Sequence, residues 1–134
     1  MPFTHTIRVR YVEVDAQGVV FNAHYLTYCD DAMTRFFAAL GYDPKETFTE
    51  GGAFDVMLVK SVLEWKGSAG FEDELAIEVR PSRIGGSSFD ITFTIRVGDR
   101  DVCVVVITYV SVVPGEHRSC PIPDEVRGRL EAQM

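Results

Sequence analysis

"YVEVDAQGVVFNAHYL", residues 11–26, changes its hydrophobic period halfway along. Upstream, Phe3, Ile7, Val9 and Tyr11 alternate with Thr6, Arg8 and Arg10, so residues 3–14 read as a strand. Downstream, Leu26, Cys29, Met33, Phe36, Phe37 and Leu40 recur at helical spacing, a stripe about 120° wide. Asn22 is the N-cap candidate, and Gly41 stands where a C-terminal cap glycine belongs. A helix so bounded has about 18 residues and a length of about 27 Å. Its apolar face is rich in aromatics, so it is expected to lie deep against a sheet. Between strand and helix sits a single acid, Asp15, followed by Gly18, Val19, Val20 and Phe21.

The remainder of the chain completes the architecture. Residues 43–53, "DPKETFTEGGA", read as a loop from their Asp-Pro and Gly-Gly pairs. Four strands follow. Residues 54–66 have a broken alternation that predicts a bulge, and in 74–84 Pro81 predicts an edge position or a bend. Residues 88–97 alternate strictly, and "VGDRD" (97–101) is a tight turn. "VCVVVITYVSVV" (102–113) is apolar on both faces and predicts a central strand. The last residues, 121–134, end as a short helix. With 134 residues and no repeat, low-complexity tract or linker, the expectation is one domain over 1–134. Strand, long helix and four antiparallel strands make an α+β architecture, a single antiparallel sheet with the helix on one face.

Composition narrows the partners. Hydrophobic residues make up 46% and charged residues 25%, as in a soluble globular protein. Thirteen basic and twenty acidic residues give a net charge of −7, which repels a nucleic-acid backbone. Cys29, Cys103 and Cys120 have no metal-ligand spacing, and their odd number argues against a disulfide framework. Buried free thiols are expected instead, and no metal. "MPFTHTIRVRY" lacks the apolar core of a signal peptide, and 102–113 is too short to cross a bilayer as a helix. A soluble, cytoplasmic protein without a membrane partner is the expectation.

The motif "D-x-x-G-V-V" followed by "N-A-H-Y-L", the strand order, and the acidic turn "FEDEL" (71–75) resemble the hotdog fold. More narrowly, they resemble the 4-hydroxybenzoyl-CoA thioesterase family, which includes short-chain acyl-CoA thioesterases. The resemblance implies a five-stranded antiparallel sheet wrapped around one long central helix, and hydrolysis of an acyl-CoA or acyl-carrier-protein thioester. It also implies a catalytic aspartate at Asp15 and an oxyanion site of backbone N–H groups at Asn22 and Ala23. Active sites in such proteins lie at the interface of a homodimer whose sheets join edge to edge, often within a homotetramer. No separate cofactor is implied, since CoA or phosphopantetheine is part of the substrate.

The chemistry suits these residues. Thioester hydrolysis needs a nucleophile and a stabiliser for the oxyanion, and a thiolate leaves with little help from a general acid because thiols have a pKa of about 8.5. Asp15 would either attack the carbonyl carbon or deprotonate a water, and the sequence leaves both routes open. The helix start supplies free N–H groups and roughly half a positive charge. Gly18 lets the backbone turn sharply, while Val19, Val20, Phe21 and Tyr25 are expected to contact the acyl group.

Weaker candidates accompany this set. Asp30, at the edge of the apolar stripe, is the second choice of acid. His24 reads more readily as a surface residue than as an acid or base, and His5 and His117 have no partner in sequence. Asp31 is expected to pair with Arg35 at i, i+4. In "PSRIGGSSF" (81–89), Arg83, Ser87 and Ser88 suit a phosphate, though the segment is equally an ordinary turn. Two other functions fit the fold: a non-catalytic acyl-thioester binding module, and a hydratase or dehydratase, whose histidine signature His24 fits poorly.

Overall fold

The computed structural model describes residues 2–134. Alternation sets Phe3, His5 and Ile7 on the inner face of the first strand, β1 (Phe3–Arg8). The strand stops short of the predicted residue 14 because Arg10 and Glu13 close a 3₁₀ turn over Tyr11–Glu13. The Arg10 N–H and guanidinium both donate to the Glu13 carboxylate, at 2.8 and 2.9 Å. Tyr11 leaves the inner face as a result and is 77% exposed.

Helix α1 (His24–Ala39) has 16 residues. Cys29, Met33, Phe36 and Phe37 of the predicted stripe are buried, and Leu26 and Leu40 are half-buried. Tyr25, Tyr28 and Ala32 are also buried, so the covered face is wider than the stripe. Asn22 does not cap the helix. The residue before it is Ala23, already in the αR region with no side-chain cap, and the chain enters through a turn in which the His24 N–H donates to the Phe21 carbonyl at 3.0 Å. The other end follows expectation. Gly41 takes φ +103, its N–H donates to Ala38, and the Tyr42 N–H donates to Phe37, the bond pair of a Schellman cap. The predicted loop that follows contains one short helix, α2 (Pro44–Thr47), started by proline and capped by the Asp43 side chain on the Lys45 N–H.

The four later strands are β2 (Asp55–Trp65), β3 (Glu74–Ile84), β4 (Ser88–Val97) and β5 (Arg100–Val112). With β1 they form one antiparallel sheet in the order β1-β3-β4-β5-β2. Strand β5 is paired on both sides, as its two apolar faces require, but β4 is the middle strand. Although consecutive in sequence, β2 and β3 do not pair, and β2 forms an edge. The predicted bulge falls between Leu58 and Lys60 of β2. Pro81 lies beyond the last β1–β3 pair, Phe3 with Val79, so its missing N–H costs no bond on that side, and the β3–β4 register shifts just after it.

The core lies between α1 and the inner face of the sheet. Phe36, Phe37, Phe54, Phe89 and Phe93 are at most 1% exposed, packed with Leu75, Ile77, Ile91, Ile95 and Ile107. Each contributes on the order of 1.5–3 kcal/mol by burial. A last helix, α3 (Asp124–Glu131), adds Val126 and Leu130 and carries Arg129, which donates to the Leu40 carbonyl and lies over the Tyr42 ring. Cys29 and Cys103 are buried free thiols as expected, whereas Cys120 is half-buried. No helix among the described residues is long and apolar enough to cross a membrane.

Candidate active site

After the 3₁₀ turn the chain doubles back on itself. The Phe21 N–H donates to the Glu13 carbonyl at 3.0 Å, Val14 and Val20 form a bridge, and the Asp15 N–H donates to Val19 at 2.9 Å. Gly18, at φ +79, closes this small hairpin with its N–H on the Asp15 carbonyl. The left-handed conformation there explains the glycine. The turn is pinned to the segment after β2, where the Val20 N–H donates to Ala69 at 2.9 Å and Val19 bridges Gly70.

Asp15 is half-buried in this turn. Its Oδ1 accepts the Gln17 N–H at 2.8 Å, an Asx turn, and among the described residues its Oδ2 has no partner. The carboxylate opens on a cleft of about 340 Å³. Asp15, Gln17, Asn22 and Ser68 give the wall its polar groups, and Val19, Val20, Phe21, Tyr25 and Trp65 its apolar ones. Tyr25 is 1% exposed and meets both Trp65 and Tyr28 edge-to-face, each with ring centroids 6.0 Å apart. Burial pushes the Tyr25 hydroxyl up from its ordinary pKa, so it stays protonated. The amides of His24 and Tyr25 are engaged, on the Phe21 and Asn22 carbonyls. Among the described residues, the N–H groups of Asn22 and Ala23 just before them have no acceptor.

The structure thus brings Asp15, Val19, Val20, Phe21, Asn22 and Tyr25 to one cleft. Gly18 shapes the turn without lining the cleft, and Ala23 is exposed next to Asn22. Asp30 is exposed on α1 and does not join the wall. His24 is half-buried and edge-on to Phe21. Arg83 is bonded to the Asp90 carboxylate through Nε and Nη2 at 3.0 and 3.1 Å, and to the Ser88 hydroxyl at 3.0 Å. That bonding, with a Thr108 hydroxyl at 2.7 Å, holds Asp90 below the usual carboxylate range despite partial burial. Arg83 belongs to the row of the ladder that contains Lys60, midway along β2, whereas Trp65 ends that strand, about 17 Å further along. Ser87 is exposed in the same hairpin. Within one chain, Arg83, Ser87 and Ser88 are not brought to the cleft. Asp31 pairs with His5 at 2.8 Å instead of Arg35, a contact from β1 to α1 that helical spacing cannot reveal.

Gln17, Trp65, Gly67 and Ser68 line the cleft but are absent from the sequence-based set. Trp65 is the chain's one tryptophan and is 48% exposed. Its place in the site follows from the strand order, which periodicity does not give. Glu13 is also missing from that set, and among the described residues it is the one buried side chain that carries a carboxylate or a cationic group. Burial alone would push its carboxyl up, but hydrogen bonds from the Arg10 backbone, the Arg10 guanidinium and the Tyr28 hydroxyl outweigh this and hold it below the ordinary value. The visible signal was the Arg-x-x-Glu spacing at the strand exit.

Comparisons with known proteins agree with this geometry. The family model described as "Thioesterase-like superfamily" matches residues 9–130. A 1,4-dihydroxy-2-naphthoyl-CoA hydrolase of Nostoc punctiforme is 29% identical over 132 residues, 98% of this chain and 88% of that protein. Among solved structures, a gentisyl-coenzyme A thioesterase superposes with a TM-score of 0.86 at 23% identity, over 95% of this chain and 98% of the other. A 1,4-dihydroxy-2-naphthoyl-CoA thioesterase from Synechocystis does so with a TM-score of 0.82 at 17% identity, over 97% and 96%. The chain, with its five-stranded hotdog architecture, belongs to the thioesterase-like superfamily.

Proposed function

We propose that the protein hydrolyses aromatic acyl-CoA thioesters to the free acid and CoA, with Asp15 as the reacting carboxylate. One observation carries this: among the described residues, a carboxylate oxygen of Asp15 without a partner and the Asn22 N–H without an acceptor lie at one cleft walled by aromatic rings, and the free Ala23 N–H follows next in sequence. The thioester carbonyl oxygen would take the Asn22 and Ala23 N–H groups, and each such donor is typically worth about 10²–10³ in rate. Asp15 Oδ2 then has two routes. It attacks the carbonyl carbon, the C–S bond breaks, thiolate leaves, and water cleaves the resulting anhydride; or it takes a proton from the water that attacks.

Phe21, Tyr25 and Trp65 favour a flat acyl group, and the named relatives act on naphthoyl and gentisyl thioesters. We further place a second copy of the chain on β2. This edge strand exposes Met57, Leu58, Val59, Val62 and Trp65 beside an unpaired row of backbone groups.

An acyl-CoA panel with thiol release as readout tests the activity. Aryl-CoA substrates should exceed short aliphatic ones by at least about tenfold in kcat/KM. Binding by calorimetry without thiol release from any substrate would mean a binding module instead.

A further inference from the structure

Glu13 lies two residues from Asp15 yet faces away from the cleft, into the protein. Its side chain is 6% exposed. Every acceptor lobe it offers is used. Oε1 takes the Arg10 N–H at 2.8 Å and the Tyr28 hydroxyl at 2.9 Å, while Oε2 takes the Arg10 Nε and Nη2 at 3.1 and 2.9 Å. Its backbone carbonyl takes the Phe21 N–H. Tyr28 lies in the second turn of α1 and is 3% exposed. One residue therefore joins three things: the exit of β1, the return strand of the Asp15 turn, and the body of α1.

The carboxylate closes the 3₁₀ turn with Arg10, and its bonds also reach beyond that turn to α1. A buried acid is expensive to desolvate, and an apolar residue packed on Tyr28 would fill the space. What the acid adds is direction, since four donors converge on two oxygens and a slip of the turn along α1 would break them together.

We infer that Glu13, through Arg10 and Tyr28, is a positioning residue that fixes the Asp15 turn against the start of α1. Resting on the hydrolytic role proposed for Asp15, it acts through that residue without touching substrate. Misplacement of a reacting group by about 1 Å can lower a rate by about 10²-fold, so the loss of this anchor should appear in kcat.

The test compares wild type, Glu13→Gln, Tyr28→Phe, Asp15→Asn and the Glu13→Gln/Asp15→Asn double variant, with kcat expressed per folded molecule. Glutamine matches the shape of Glu13, but its NH₂ group must face donors, so the clamp loosens. Glu13→Gln should lose about ten- to a hundredfold in kcat with KM changed by less than about threefold. Tyr28→Phe, which removes one hydroxyl and keeps the ring packing, should move kcat the same way by a smaller factor. It also carries the test if Glu13→Gln does not fold. In the Asp15→Asn background Glu13→Gln should add no further loss, because the two act as one unit.

An unchanged kcat per folded molecule would overturn the inference and leave Glu13 a purely structural residue. So would an equal loss in both backgrounds. Full turnover by Asp15→Asn alone would instead remove the role of Asp15, and the positioning role with it.

Discussion

Asp15 and Glu13 are neighbours with opposite surroundings, and only one was legible in the sequence. Asp15 stands out because apolar residues and a glycine surround it at a change of period. Glu13 looks like an ordinary polar residue of an alternating strand until the 3₁₀ turn rotates it inward. Its native pKa lies below the ordinary value near 4.5, and that of Asp90 below the ordinary value near 3.8. A carboxyl group depressed in this way stabilises the fold fully above its unfolded pKa. The stabilisation is lost as pH falls through the lower native pKa. The urea midpoint should therefore hold from neutrality to about pH 5 and fall below it, and Glu13→Gln should make the acid limb shallower while lowering the neutral plateau. Parallel profiles for the two proteins would assign the acid sensitivity elsewhere.

At the scale of elements, helical and strand periods located all five strands and the long helix, because each buries one face in a regular rhythm. The ends were harder. Gly41 marked the end of α1 because only a left-handed residue closes a Schellman cap, whereas Asn22 promised a cap that its backbone does not make. Nor does the period of β2 say that it is an edge: its apolar residues serve both the core and an exposed flank. Val59, opposite no residue of β5 and 58% exposed, lies at the bulge of that flank. If a second copy docks here, sedimentation should give a multiple of the 15.0 kDa chain mass for wild type. Val59→Lys, a charge of the kind that guards sheet edges, should shift the population toward single chains. Wild type sedimenting as one chain at micromolar concentration would rule the docking out.

Across the whole molecule, what the sequence could not supply is adjacency. Trp65 and Tyr25 are 40 residues apart and meet because β2 runs to the sheet edge while α1 crosses the inner face. Asp31 finds His5 for the same kind of reason. The cleft is thus a property of topology, assembled from the Asp15 turn, the start of α1 and the end of β2. In the proposed mechanism the carboxylate of Asp15 performs the chemistry on a thioester held by the neighbouring amides. Steady-state turnover of an aryl-CoA thioester by folded Asp15→Asn protein measures that directly. The expected kcat is lower than wild type by about 10²–10⁴; a kcat within about threefold of wild type would rule Asp15 out as the reacting group.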